Sequence, residues 1–108
     1  VGYLTKYCDG GVDFQPIGDL YKTELFEFAK FLGVPEKIIR KKPTAGLWVG
    51  QTDEGEIGMS YAELDETLKL IEKGVIKDEE KFKRVLRMVE SSKHKRIMPP
   101  VARVRDLI

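Results

Sequence analysis

Apolar positions recur at helical spacing in three stretches, with glycine and proline punctuating the chain between them. Leu25, Phe26, Ala29 and Leu32 line one face, widened by Phe28 and Phe31, and predict a helix starting just after Asp19. Gly33 is placed to end it in a left-handed cap, with Pro35 just beyond. Pro35 suits the first position of a short second helix, Glu36 to Arg40, which Lys41-Lys42-Pro43 breaks. Tyr61, Leu64, Leu68 and Ile71 form another stripe. Ser60 with Glu63 three residues on is the capping-box pattern at its start, and Gly74 stops it. Asp78 is positioned to cap a last helix whose apolar face, Phe82, Val85, Leu86 and Val89, runs out near Ser91.

The intervening segments lack such periodicity. Residues 1–19 read as an irregular loop: Asp9-Gly10-Gly11 signals a turn, and Val12-Asp13-Phe14 is a candidate for a brief strand before Pro16. Residues 44–58 form a long connection holding glycines 46, 50, 55 and 58, a single tryptophan and several acids. Connections of that length inside a domain are usually functional lids or mobile segments. The expectation is four helices with little strand, one end of an α/β domain whose sheet lies elsewhere.

Composition narrows the class. Hydrophobic residues make up 42% of the 108 positions and charged residues 34%, the balance of a globular chain rather than a disordered one. Nineteen basic against eighteen acidic residues leave a net charge of +1, which argues against a protein built to coat a polyanion. No run approaches the roughly 20 apolar residues that cross a bilayer, so no membrane partner is expected. The single cysteine, Cys8, rules out an internal disulfide and any multi-cysteine metal site, and a reducing cytoplasm is the natural expectation.

Three polar clusters lie outside the apolar stripes: Lys6 with Asp9 and Asp13 around the double glycine, Lys22 at the head of the first helix, and His94-Lys95-Arg96 after the last. Lysines beside glycine loops and helix starts supply what a polyphosphate needs, point charges and exposed backbone donors. Each has a plainer reading. A loop lysine is usually a solvated charge, and a basic run after a helix usually complements the macrodipole. One histidine and one cysteine make no zinc site. Cys8 suits a small packed filler better than a nucleophile. Trp48 is open between core anchor and stacking platform. Spacing alone goes no further than an α-rich domain, with binding of a phosphorylated ligand left open.

Taken together, Gly2-Tyr3-Leu4-Thr5-Lys6-Tyr7, Asp9-Gly10-Gly11-Val12-Asp13 and Pro16-Ile17-Gly18-Asp19-Leu20-Tyr21-Lys22 resemble one long signature of the ammonia-dependent NAD synthetases. It continues through Lys42-Pro43-Thr44-Ala45-Gly46-Leu47-Trp48, Gly50-Gln51-Thr52-Asp53-Glu54 and Glu56-Ile57-Gly58-Met59-Ser60-Tyr61, and ends on His94-Lys95-Arg96. The resemblance runs in the family's order from Gly2 to about Pro100. Two positions depart from it. Cys8 stands where glycine is common, and Gly46 where aspartate is frequent, so no aspartate role at 46 carries over.

The resemblance implies an α/β fold class: the C-terminal, mostly helical part of an ATP-pyrophosphatase-type, Rossmann-like fold of the adenine nucleotide alpha-hydrolase-like kind, working as a homodimer. It implies a ligase in which ATP adenylylates the nicotinate carboxylate of deamido-NAD, pyrophosphate leaves, and ammonia displaces AMP to give NAD. A carboxylate is a poor electrophile until its oxygen joins a good leaving group, and magnesium with lysines offsets the separating phosphate charge. By position, Lys6, Asp13, His94 and Lys95 match contacts to deamido-NAD, and Lys22 and Thr44 match contacts to ATP. Residues 1–22 then form a substrate- and ATP-contacting loop and helix start, 44–58 a mobile active-site loop, and 60–108 the C-terminal helices and basic tail. The family's Ser-Gly-Gly-x-Asp-Ser pyrophosphate loop and its magnesium-binding glutamate are expected N-terminal to Val1, so ATP and Mg2+ find their main ligands outside these residues. The chain is therefore expected to be a portion of a longer protein, or to be complemented by another chain.

Two other readings compete. One is a remnant that keeps the fold and binds nucleotide without catalysing the reaction. The other is a nucleic-acid module using residues 93–105, disfavoured because that stretch has charge but no aromatic side chain on which a base would stack.

Overall fold

A computed structural model of the chain describes residues 1–7 and 10–107. Cys8 and Asp9, singled out above, lie outside the described residues. Among the described residues five α-helices follow in order: α1 (Lys22–Phe31), α2 (Glu36–Ile39), α3 (Asp53–Ile57), α4 (Tyr61–Glu72) and α5 (Glu79–Ser91), with 3-10 turns at Lys93–Lys95 and Val104–Leu107. The helical character agrees with the sequence reading. Among the described residues there is no strand, so Val12-Asp13-Phe14 is bend and coil rather than the brief strand expected. An isolated extended segment has no ladder partner here to satisfy its backbone.

The helix boundaries follow from local chemistry. The Ser60 hydroxyl accepts the Glu63 N–H at 3.2 Å, and the Glu63 carboxylate accepts the Ser60 N–H at 3.2 Å, the reciprocal cap that the spacing predicts for α4. Asp78 accepts the Lys81 N–H at 3.0 Å and starts α5. Gly33 and Gly74 both stand at the stops assigned to them, with φ of +75° and +69°.

Helix α3 corrects the picture of 44–58 as unbroken connection. Thr52 accepts the Gly55 N–H at 3.1 Å as its cap, and Asp53, Glu54 and Glu56 place negative charge in its first turn. Two glycines within and after this turn hide it from apolar periodicity. Gly58, at φ +73°, closes it, and a Cβ there would meet Arg84 Nη2 at 2.3 Å. That guanidinium donates to the Ile57 carbonyl at 3.0 Å and ties α5 to the end of α3.

The core is small. Ile57, Met59, Leu64 and Val85 are buried, with Tyr61, Leu68, Ile71, Met88 and Val89 packed around them. It therefore joins α3, α4 and α5. Helix α1 packs on α4 and α2 instead, and its first turn is fastened to α4 by polar links. Asp65 accepts the Thr23 N–H at 2.8 Å, Lys69 pairs with Glu24 at 2.7 Å, and the Tyr21 hydroxyl donates to Glu72. The outer part of the predicted α1 stripe is uncovered: Phe31 is 84% and Leu32 60% exposed. The radius of gyration, 17.3 Å, exceeds the about 13 Å of a compact domain of this length. Trp48 is 56% exposed and so anchors no core here.

The N-terminal segment reaches the far end of α5. Gly2, at φ +75°, lies so close to Ser92 that a Cβ would fall 2.0 Å from the serine Cβ. Only glycine permits that approach.

Candidate functional site

The docking of α1 sets the position of Lys22, its first residue. With Thr23 and Glu24 held on α4, the Lys22 ammonium stands over the rings of Tyr61 at 5.5 Å and Phe26 at 5.8 Å. It lines a cleft of about 400 Å³ between α1 and α2 together with Lys41, Lys42, Pro43 and Thr44 over an apolar floor that includes Phe26 and Ile39. Two sequence-derived residues, Lys22 and Thr44, thus come together at a site with three lysines. An apolar floor with a cationic rim suits a ligand with a flat apolar part and a phosphate.

A second, larger cleft of about 680 Å³ lies between the N-terminal loop and the tail, lined among others by Leu4, Tyr7, Gly10, Gly11, Lys95 and Arg96. Lys95 donates from its ammonium to the carbonyls of Gly2 and Leu4, each at 2.7 Å. An ammonium has three donors, so one remains for another acceptor. Arg96 is turned back onto α5, donating to Val89 O at 2.7 Å and to Ser92 Oγ at 2.9 Å.

The remaining predicted residues, Lys6, Asp13 and His94, are exposed and line neither of these two clefts. Lys6 sits over the ring of its neighbour Tyr7 at 5.2 Å. Asp13 lies on the same N-terminal loop, and His94 on the 3-10 turn that carries Lys95. Asp9, grouped with them above, is outside the described residues. A third cleft, about 260 Å³ between α4 and the start of α5, holds lysines already engaged: Lys77 with Glu66 at 2.9 Å and Lys81 with Glu63 at 2.8 Å.

Helix α3 is bonded toward both of the first two clefts. The Tyr61 hydroxyl donates to Asp53 at 2.8 Å, while the Tyr61 ring faces Lys22. Burial first, then the Asp53 carboxylate, raises the Tyr61 phenol above its ordinary range. On the other side Tyr3 donates to Glu56, which pushes the Tyr3 phenol up to about 12 and holds the Glu56 carboxyl below its usual value. Gln51, only 7% exposed, donates to Glu56 at 2.9 Å and accepts the Leu47 N–H at 2.7 Å.

Tyr3, Gln51, Asp53, Glu56 and Tyr61 were thus not found as site neighbours by sequence reasoning, although all five lie inside the motifs quoted above. For Gln51, Asp53 and Glu56 the visible signal was the density of polar side chains in 51–56, and nothing in that density shows that Gln51 is enclosed.

Comparison with known proteins bears on the same residues. A family model described as NAD synthase matches residues 1–99. The NH(3)-dependent NAD(+) synthetase of Archaeoglobus fulgidus is 73% identical over 108 residues, all of this chain and 44% of that protein. The Thermoplasma acidophilum protein of the same name is 54% identical over 100 residues, 92% of this chain and 42% of its own. Among solved structures, the NMN synthetase of Francisella tularensis superposes with a TM-score of 0.78 at 39% identity, over 94% of this chain and 41% of that one. The chain spans less than half the length of these relatives. The motifs, the helical arrangement and the model match over residues 1–99 agree, and the chain belongs to the NAD synthase family.

Proposed function

We propose that the complete protein containing this chain is an ammonia-dependent NAD synthetase, a ligase of NAD biosynthesis that amidates deamido-NAD at the expense of ATP. The observation that carries the reading is the 73% identity to the Archaeoglobus synthetase along all 108 residues, with Lys22 and Thr44 on one cleft.

In this reading ATP occupies the α1–α2 cleft, where Lys22 faces its phosphates and Thr44 offers a hydroxyl. Deamido-NAD lies toward the N-terminal loop and the tail, met by Lys6, Asp13, His94 and the free donor of Lys95. The nicotinate carboxylate attacks the α-phosphorus and pyrophosphate leaves. Ammonia then adds to the carbonyl carbon of the acyl-adenylate, AMP departs with the bonding pair, and the nitrogen releases one proton to solvent. Segment 44–58 closes over the reacting groups and keeps out water that would hydrolyse the adenylate. Among the described residues no group of three or more His, Cys, Asp or Glu side chains comes together as a metal site. The magnesium ligands belong in this reading to residues outside the chain. In this reading the enzyme acts as a cytoplasmic homodimer without nucleic acid or membrane partners.

The test offers the complete protein ATP, ammonia and deamido-NAD, and measures NAD, AMP and pyrophosphate. Equal formation of all three supports the reading; a complete protein that binds ATP yet makes no NAD would be the non-catalytic remnant. Preference for the nicotinate mononucleotide, giving NMN, would align it instead with the activity for which the Francisella protein is named.

A further inference from the structure

Gln51 is the enclosed polar residue of a segment that otherwise faces water. It is 7% exposed, whereas Leu47, Trp48 and Val49 just before it are 75%, 56% and 102% exposed. Both ends of its amide are used: Oε1 accepts the Leu47 N–H at 2.7 Å and Nε2 donates to Glu56 at 2.9 Å. Glu56 also accepts the phenol of Tyr3, 53 residues away in sequence. Beside this knot the Asp53 N–H donates to Pro43 O at 2.9 Å, closing the stem of the loop next to Thr44. On its other flank Tyr3 is held between Gly2 and Leu4, whose carbonyls both accept Lys95 at 2.7 Å. Hydrogen bonds and short stretches of chain therefore connect Pro43, the neighbour of Thr44, through the loop stem, Glu56 and Tyr3 to Lys95 at the opposite cleft.

We propose that Gln51 and Glu56, clasped by Tyr3, are positioning residues of the amidation, fixing the base from which the apolar tip 47–49 moves and on which Thr44 is presented. This rests on the synthetase reading above. The physical reason is the sensitivity of a bimolecular chemical step to placement: a displacement of about 1 Å can cost on the order of a hundredfold in rate. A closing loop gains its exposed tip's freedom without losing register only if its base does not move with it. The clasp supplies that fixed base from a different part of the chain, at the end where Lys95 stands. The depressed Glu56 carboxyl agrees, since the charged form is the one that accepts from Tyr3 and Gln51 together.

The experiment uses the complete protein and its variants Glu56→Ala and Glu56→Gln, the second keeping an oxygen that accepts from Tyr3. Hydrogen exchange of the amides of 44–51 and the kcat for NAD formation are measured well below the unfolding midpoint. In Glu56→Ala exchange should quicken, and kcat fall, each by about tenfold, with Glu56→Gln returning both toward wild type. Unchanged exchange in Glu56→Ala overturns the clasp. Faster exchange with wild-type kcat overturns its part in the reaction, as does a Glu56→Gln variant no better than alanine. Absence of NAD formation by the wild-type protein, with exchange still responding, would sink the synthetase reading and the positioning role with it, while the clasp as a loop fastening would stand.

Discussion

The carboxylate of Asp65, in the middle of α4, accepts the backbone N–H of Thr23 at 2.8 Å, so the second residue of α1 is capped by a different helix. Asp65 is 4% exposed. This bond orients α1 on α4 and fixes the residue before Thr23, which is Lys22.

Replacing Asp65 by alanine leaves the Thr23 donor without its acceptor and should cost the complete protein about 1–3 kcal/mol. Asparagine, which retains an oxygen at that place, should lose less. Denaturant unfolding of both variants checks this, and equal midpoints for wild type and Asp65→Ala would show that the cap contributes nothing.

Lys22 lines the α1–α2 cleft on one side and rests on two rings on the other, so its charge is positioned without a carboxylate partner among the contacts described. Lys22→Ala is expected to lower turnover of the complete enzyme by about a hundredfold, the scale of removing one group aimed at developing charge. Lys22→Arg should keep part of the activity, and unfolding midpoints should stay near wild type. Wild-type turnover in Lys22→Ala would refute the role given to it.

Acid should weaken the α4–α5 contact in a defined window. The Lys81 ammonium first, then the Ser60 N–H and hydroxyl, hold the Glu63 carboxyl down to about 2 from its ordinary 4.5. A folded value below the unfolded one means the stabilisation is fully present above the unfolded value and is lost as pH falls through the folded one. The loss therefore runs from about pH 4.5 down to about pH 2. In Glu63→Gln the unfolding midpoint should be lower at neutral pH and less dependent on pH across that window. Identical acid slopes for wild type and variant would count against the pairing.

Helices α1, α2, α4 and α5 were legible because their signals are local: a stripe, a cap and a stop within one window. Helix α3 was not, since a five-residue turn containing Gly55 and ending at Gly58 has too few apolar positions to show a period. The exposure of Phe31 and Leu32 was equally hidden, because an amphipathic face announces that it can pack and not what lies against it. At the site, Lys22 stood out by its place at the head of α1 and Thr44 through the family motifs alone; that both line one cleft shows only in the fold. The Tyr3–Glu56 bond left no local trace at all: its partners are 53 residues apart, and pairing at that range is decided by tertiary packing. Val12-Asp13-Phe14 shows the converse, a run with strand-like residues that stays irregular where no neighbouring strand exists among the described residues.

Lys95 grips the carbonyls flanking Tyr3 with two of its hydrogens, and this makes it a strut as well as part of the lining of the second cleft. Truncating it would slacken the opening residues in the same stroke that deletes a charge from the cleft. Any drop in affinity then sums two injuries. Separating them calls for a substitution that loosens the opening residues and leaves the amine in place, and Gly2, pressed against Ser92, offers that second handle.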